Sequence, residues 1–167
     1  MDAVLTKPMI PDAFFSLVRH PIKFRLFLLT KLPAAFFAGL KVRSLSAEAC
    51  TVTIPFKWFT QNPFRSTYFA CLAMAAELST GVLAMGAIYG QKPTVSMLVT
   101  GLEATFHKKA TGLITFTCAD GEAIQQAVKE AKATGNGQRV IAKSVGQNVS
   151  GEVVAEFLFT WSFKAKA

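Results

Sequence analysis

The chain has 167 residues, 51% of them apolar, and a formal charge of +8; that length suits one domain burying roughly two thirds of its unfolded surface. Cys50, Cys71 and Cys118 lie in apolar stretches without a CxxC, and the only histidines are His20 and His107, so neither a metal site nor a disulfide framework is expected. The basic balance favours an anionic partner, yet no helix-turn-helix, RNP or zinc-finger pattern accompanies it, which sets nucleic acid aside.

Residues 1–12, with Pro8 and Pro11, read as a loosely held arm. Pro21 and Pro33 suit first-turn helix positions, so residues 13–38 are expected to form two or three short helices. Arg19, Lys23, Arg25, Lys31, Lys41 and Arg43 belong to a basic tract in which residues 13–47 contain no acid. The apolar run starts too late for a signal peptide, and Arg25 and Lys31 interrupt it. These helices could lie on a membrane surface, although packing over a sheet is the commoner arrangement. Buried thiols without a disulfide pattern fit a reducing, cytoplasmic setting.

From Lys41 the apolar period becomes two. Cys50, Val52, Ile54 and Phe56 alternate with Thr51, Thr53 and Lys57, as in a half-buried strand. A polar loop over 58–67 then runs into residues 68–89, which are apolar on every side apart from Glu77. Such a segment is either a buried helix or a membrane span. Glu77 near its centre would cost about 2.5–3.5 kcal/mol on insertion, and its many Ala, Gly, Ser and Cys residues let a sheet close tightly round it. The composition favours the buried helix.

Strand signals return at 95–107 and 112–118. Asp120 is placed to cap a helix over 121–133, whose apolar face is Ile124, Ala127, Val128 and Ala131, and Gly135 is placed to stop it. Residues 138–145 and 152–164 make a final hairpin. In its second strand Val153, Ala155, Phe157, Phe159, Trp161 and Phe163 share one face, while Val154 and Leu158 on the other suggest a sheet covered on both sides. The whole chain therefore reads as one α+β domain. Its core, 40–164, is an antiparallel sheet wrapped round one central helix, with extra amino-terminal helices.

The loop and buried helix resemble the acyl-CoA thioesterases of the hotdog superfamily, in the phenylacetyl-CoA-thioesterase-like branch and the uncharacterised group close to it. Their pattern is an Asn, six residues later a His followed by small residues, then an Asp or Glu nine residues on. Asn62, Tyr68-Phe69-Ala70 and Glu77 fall at those spacings, with Ala75-Ala76-Glu77 similar to the family's Leu-Ala-Asp or Leu-Ala-Glu. The segment from Phe106 to Gly112 is similar to the family's central turn, and that from Val145 to Ala155 to its final hairpin. Three positions depart from the pattern: Tyr68 replaces the His, Phe69 replaces a Gly, and Arg65 stands where Gly is common.

The resemblance implies hydrolysis of an acyl-CoA or acyl-carrier thioester, with coenzyme A entering only as part of the substrate. In that reading Phe69 N–H, at the positive end of the helix, is the oxyanion donor. Glu77 is general base or nucleophile, Asn62 orients the water or the carboxylate, and Tyr68 occupies the place of the His. Arg65, His107, Lys108, Lys109 and Lys143 are candidates for the coenzyme A phosphates, with solvated surface charge as the alternative for each. Phe69 and Glu77 are eight residues apart, about 12 Å along a helix. The resemblance implies that Glu77 of one subunit faces Asn62 and Phe69 of another, in a homodimer or dimer of dimers.

Plainer readings stand beside these. Glu77 could be structural, Asn62 before Pro63 is ordinary turn chemistry, and Ser79 and Thr80 suit bonds to the helix backbone. Cys71 has no His partner nearby. A hotdog dehydratase would need a His in the loop before the helix, and none is there. A non-catalytic acyl-chain-binding protein is the other reading left open.

Overall fold

The computed structural model describes residues 10–166. Three short helices, α1 (Asp12–Arg19), α2 (Pro21–Lys31) and α3 (Pro33–Ala38), precede strands β1 (Lys41–Leu45) and β2 (Cys50–Ile54). A 3-10 turn at Trp58–Thr60 leads to the long helix α4 (Phe69–Ile88). Then come β3 (Val95–Phe106), β4 (Ile114–Cys118), α5 (Gly121–Thr134), β5 (Gln138–Gln147) and β6 (Val153–Ala165). The strands form one antiparallel sheet in the order β1-β2-β4-β5-β6-β3. The sheet wraps α4, which is the expected hotdog arrangement.

Small residues explain how α4 sits so deep. Ala75, Ala76, Ala84 and Ala87 are fully buried, and Gly86 leaves room for Ile10 and Phe14, both of which would lie 3.1 Å from a β-carbon there. By length and composition α4 could cross a membrane, but most of it is covered by its own chain. Phe157, Phe159, Trp161 and Phe163 of β6 supply the opposing apolar wall. Buried hydroxyls lock helix to sheet. Ser79 Oγ donates to Ala76 O and lies 2.7 Å from Ser144 Oγ on β5; Trp161 Nε1 donates to Thr80 Oγ1 at 3.0 Å, and Thr80 Oγ1 donates to Glu77 O. Ser79 and Thr80 are thus committed to packing, as their helical setting suggested.

Several local expectations hold for the stated reasons. Pro21 and Pro33 open α2 and α3. Ile124, Ala127, Val128 and Ala131 are the buried face of α5, and Gly135 ends it in the left-handed region. Cys50, Cys71 and Cys118 are free and buried.

Other expectations need correction. Residues 1–9 of the expected arm lie outside the described residues, but Ile10 is buried and α1 begins at Asp12, so the arm does not extend to 12. Asp120 sits at the start of α5 without a side-chain cap bond. Its Oδ2 instead accepts from Lys143 N at 2.6 Å, tying the helix start to β5. Ser46 divides the first strand region in two, its Oγ accepting from the amides of Glu48 and Ala49. On β6, Val154 is buried but Leu158 only half so, leaving the outer face partly open within one chain.

The register of β3 matters most for the site. Val99 pairs with Trp161 and Gly101 with Thr160, so Thr100 is an extra residue in a bulge. Beyond the bulge Leu102, Ala104 and Phe106 pair with Phe159, Phe157 and Ala155, the core-facing residues of β6. An apolar row therefore continues on the inner face of an edge strand, yet Leu102 is 51% and Phe106 48% exposed. One chain does not cover it.

Candidate active site

The loop entering α4 is built round Asn62. Its Oδ1 accepts from Phe64 N at 2.9 Å and Ser66 N at 3.2 Å, and its Nδ2 donates to Ser66 Oγ at 3.0 Å. Asn62 is an Asx-turn residue whose side chain holds its own loop. At its tip Arg65 has φ 57°, the left-handed region that favours glycine. The Gly common at this position in the resembling enzymes now has a geometric reason, and Arg65 carries the strain instead.

Two bonds aim the end of this loop. Thr67 N donates to Ala110 O at 2.8 Å and Tyr68 N to Thr60 O at 2.7 Å, and Tyr68, in extended conformation, precedes the first turn of α4. Cys71 N and Leu72 N bond back to Tyr68 O. Phe69 N–H and Ala70 N–H have no acceptor among the described residues. Two adjacent free donors thus stand at the positive end of a 20-residue helix. The Tyr68 and Phe69 rings are 5.0 Å apart, both substantially exposed. They stand outward in the single chain, and the Thr67 hydroxyl beside them is buried without a partner.

Glu77 lies two turns further in, on the partly open stripe of α4 formed with Ala70, Ala73 and Met74. Its carboxylate makes no hydrogen bond or ion pair among the described residues. It lies along the helix over Gly81, where a β-carbon would be 3.0 Å from Oε1 and 3.6 Å from Trp161 Cζ2. Burial raises its pKa above the ordinary carboxylate value. A half-buried acid without a partner, beside a glycine that makes room for it, can take a proton from water or attack directly.

The five candidate phosphate contacts separate in space. Arg65 lies in the loop before α4, and Lys109, in the β3–β4 connection, reaches that loop by donating its Nζ proton to Phe64 O at 3.0 Å. His107 Nε2 and Lys143 Nζ instead meet the two oxygens of Glu156 at 2.8 and 2.5 Å, and Lys108 pairs with Glu152. These partners hold both glutamates below the usual carboxylate range. Residues that the sequence reading did not single out for the site are Ala70, the second free N–H, and Gly81. Gly81 was detectable four residues after the acid, on the same helix face. Among the described residues no cluster of side chains could hold a metal ion.

Solved structures share this architecture. A probable thioesterase from Pseudomonas aeruginosa superposes with TM-score 0.73 at 23% identity, over 87% of this chain and 97% of that one. A protein of unknown function from Chlorobaculum tepidum gives 0.75 at 16%, over 95% and 99%. The Escherichia coli PaaI protein of the phenylacetic acid degradation operon gives 0.63 at 10%, over 95% and 96%. At these identities the likeness is one of fold, and the fold is that of hotdog thioesterase structures. No curated protein matches the chain in sequence. The model of the domain of unknown function DUF4442 matches residues 23–162, and the chain belongs to that family.

Proposed function

We propose that the protein hydrolyses an acyl thioester, of coenzyme A or of an acyl carrier, at a site shared by two copies of the chain. The carrying observation is the unpartnered Glu77 carboxylate on the same helix as the free Phe69 and Ala70 N–H groups. Glu77 of one subunit takes a proton from water, and the hydroxide adds to the thioester carbonyl. The two N–H groups of the other subunit hold the oxyanion, and the C–S bond breaks to give the acid and the thiol, which regains the proton. Asn62 shapes the loop that presents those donors. Arg65 and Lys109 meet the phosphates, since Lys108 and Lys143 already face carboxylates.

The exposed inner row Leu102, Ala104 and Phe106 supports the shared site, because pairing of two chains through β3 would cover it. The hotdog likeness to a probable thioesterase supports the thioester-hydrolysis reading. A membrane-surface contact of residues 13–38 has a footprint in Ile22, Leu26 and Leu29, exposed along α2 beside Lys23 and Lys31.

The test is turnover on a panel of short-, medium- and long-chain acyl-CoAs, read by thiol release, for the wild type and Glu77→Gln. Activity reduced roughly 100-fold or more by the substitution is the expected result. Saturable acyl-CoA binding without turnover would replace catalysis by the acyl-binding reading. Turnover indifferent to Glu77→Gln would remove the assigned acid.

A further inference from the structure

A cavity lies between the α1–α2 pair and the outer strand β1. Its volume is about 500 Å³, and its walls carry Arg19, Arg25, Lys41 and Arg43 above an apolar floor that includes Val18 and Phe24. Val18 and Phe24 are also shared with an adjoining pocket of about 300 Å³. That pocket is lined by Phe14, Leu17, Phe27, Met85, Ile88 and Tyr89. Along the α4 axis Met85 stands sixteen residues beyond Phe69 and eight beyond Glu77, about 24 and 12 Å. The pair of pockets shares no residue with the thioester site.

The four cations have no carboxylate partner among the described residues, whose three ion pairs all lie elsewhere. Arg19 Nη2 donates to Leu45 O and Arg43 Nε to Thr53 Oγ1, both at 2.9 Å and both to neutral acceptors. The Arg25 guanidinium lies 4.0 Å from the centre of the Phe36 ring, and its Nη1 is buried without a hydrogen-bond partner among the described residues. Uncompensated arginines facing one cavity from both sides concentrate anions and suit the paired oxygens of a carboxylate or phosphate. The neighbouring apolar pocket offers nothing to a polar ligand and suits a hydrocarbon chain. Together the two volumes match the usual size of small-molecule sites, about 300–1,000 Å³.

We infer that this compartment binds a single-chain anionic amphiphile. Its carboxylate or phosphate head lies among Arg19, Arg25, Lys41 and Arg43, and its tail lies against Val18 and Phe24, the residues both pockets share, toward Met85 and Ile88. The inference is independent of the thioesterase reading, since it uses neither Glu77 nor the loop before α4.

Equilibrium dialysis below the micellar range tests it with dodecanoate, dodecyl phosphate and the uncharged dodecanol. Both anions should bind roughly tenfold or more tightly than dodecanol, and the tighter of the two identifies the head group. The Arg25→Gln/Lys41→Gln pair should weaken anion binding about tenfold and leave dodecanol unchanged. Lys41→Gln alone, at an exposed position, should weaken it about threefold without altering the fold. Glu77→Gln, although it removes turnover, should leave the binding of all three ligands as in the wild type. Equal affinity for dodecanol, no binding of either anion, or loss of binding on Glu77→Gln but not on the cavity substitutions would overturn the inference. The last result would place the chain in the thioester site.

Discussion

The Glu77 carboxylate lies over Gly81, one helical turn on, so closely that a β-carbon at position 81 would sit 3.0 Å from Oε1. The close neighbour is the far end of a flexible side chain, and the other contact, Trp161, is at an ordinary 3.6 Å. Gly81→Ala should therefore fold and gain up to about 1 kcal/mol from helix propensity. It should also push the carboxylate off its resting position and lower kcat/KM roughly tenfold or more, as small misplacements of reacting groups do. Thermal melts and thioester kinetics on one preparation check both halves. Unchanged kinetics would show that the acid need not lie where Gly81 allows.

The environment of Glu77 sets a pH dependence. Burial raises its pKa in the folded chain, so folding favours the protonated form. The stability tied to this group is fully present below the ordinary carboxylate value of 4.5 and is lost as pH rises through the raised value. Glu77→Gln removes that loss. The variant should become more stable relative to wild type as pH climbs above 4.5, and the two should converge below it. Wild-type kcat/KM should rise with pH over the same window, because the base must be ionised. Urea titrations across pH and a pH–rate profile measure the two effects, and a rate independent of pH would oppose the assignment.

Much of this was legible in residue order because it depends on local spacing. Asn62, Tyr68 and Glu77 mark the candidate site through the spacing of the family pattern they resemble, and the small residues of α4 announce its burial. The bulge at Thr100 was also written in the chain: Val95, Met97 and Val99 keep one phase, and Leu102, Ala104 and Phe106 keep the other. It shows only when the alternation is read for slips of phase. What depends on register between distant strands was not legible. Nothing near Lys143 in sequence shows that Glu156 neutralises it together with His107, nor that Asp120 serves β5 instead of capping α5.

Arg65 occupies a backbone conformation that costs an ordinary residue about 1–2 kcal/mol. Arg65→Gly should relieve that strain and stabilise the chain by about 0.5–1 kcal/mol, after the extra entropy of glycine in the unfolded state. If Arg65 also meets the substrate phosphates, the same variant raises KM for acyl-CoA while leaving kcat nearly unchanged. A stabilised protein with a higher KM is the expected pairing. Unchanged KM would leave Lys109, in the β3–β4 connection beside that loop, as the phosphate contact.

The inner row of β3 gives an assembly prediction. Leu102 and Phe106 are about half exposed although they face the core side of the sheet. Leu102→Lys should leave the monomer fold intact, because the position is open within one chain. It should shift sedimentation toward monomer and abolish thioester turnover, since like charges would meet across the two-fold axis. A dimer that survives this substitution would put the pairing surface elsewhere.

The sharpest test of a divided site uses the start of α4. Phe69 is the first helical residue, is 57% exposed, and follows Tyr68 at φ −61° and ψ 133°, a conformation that suits the residue before a proline. Proline is favoured at that first position, so Phe69→Pro should keep the helix while deleting one oxyanion donor. Turnover should fall about 10²–10³-fold with stability near wild type. Glu77→Gln damages the other half of the site. When the two inactive variants are co-expressed, a mixed dimer combines the intact helix start of one chain with the intact acid of the other. That restores one working site of two, so activity should return in proportion to the mixed species. Mixed dimers as inactive as either parent would mean that Glu77 and Phe69 act within one chain, against the 12 Å or so that separates them along the helix.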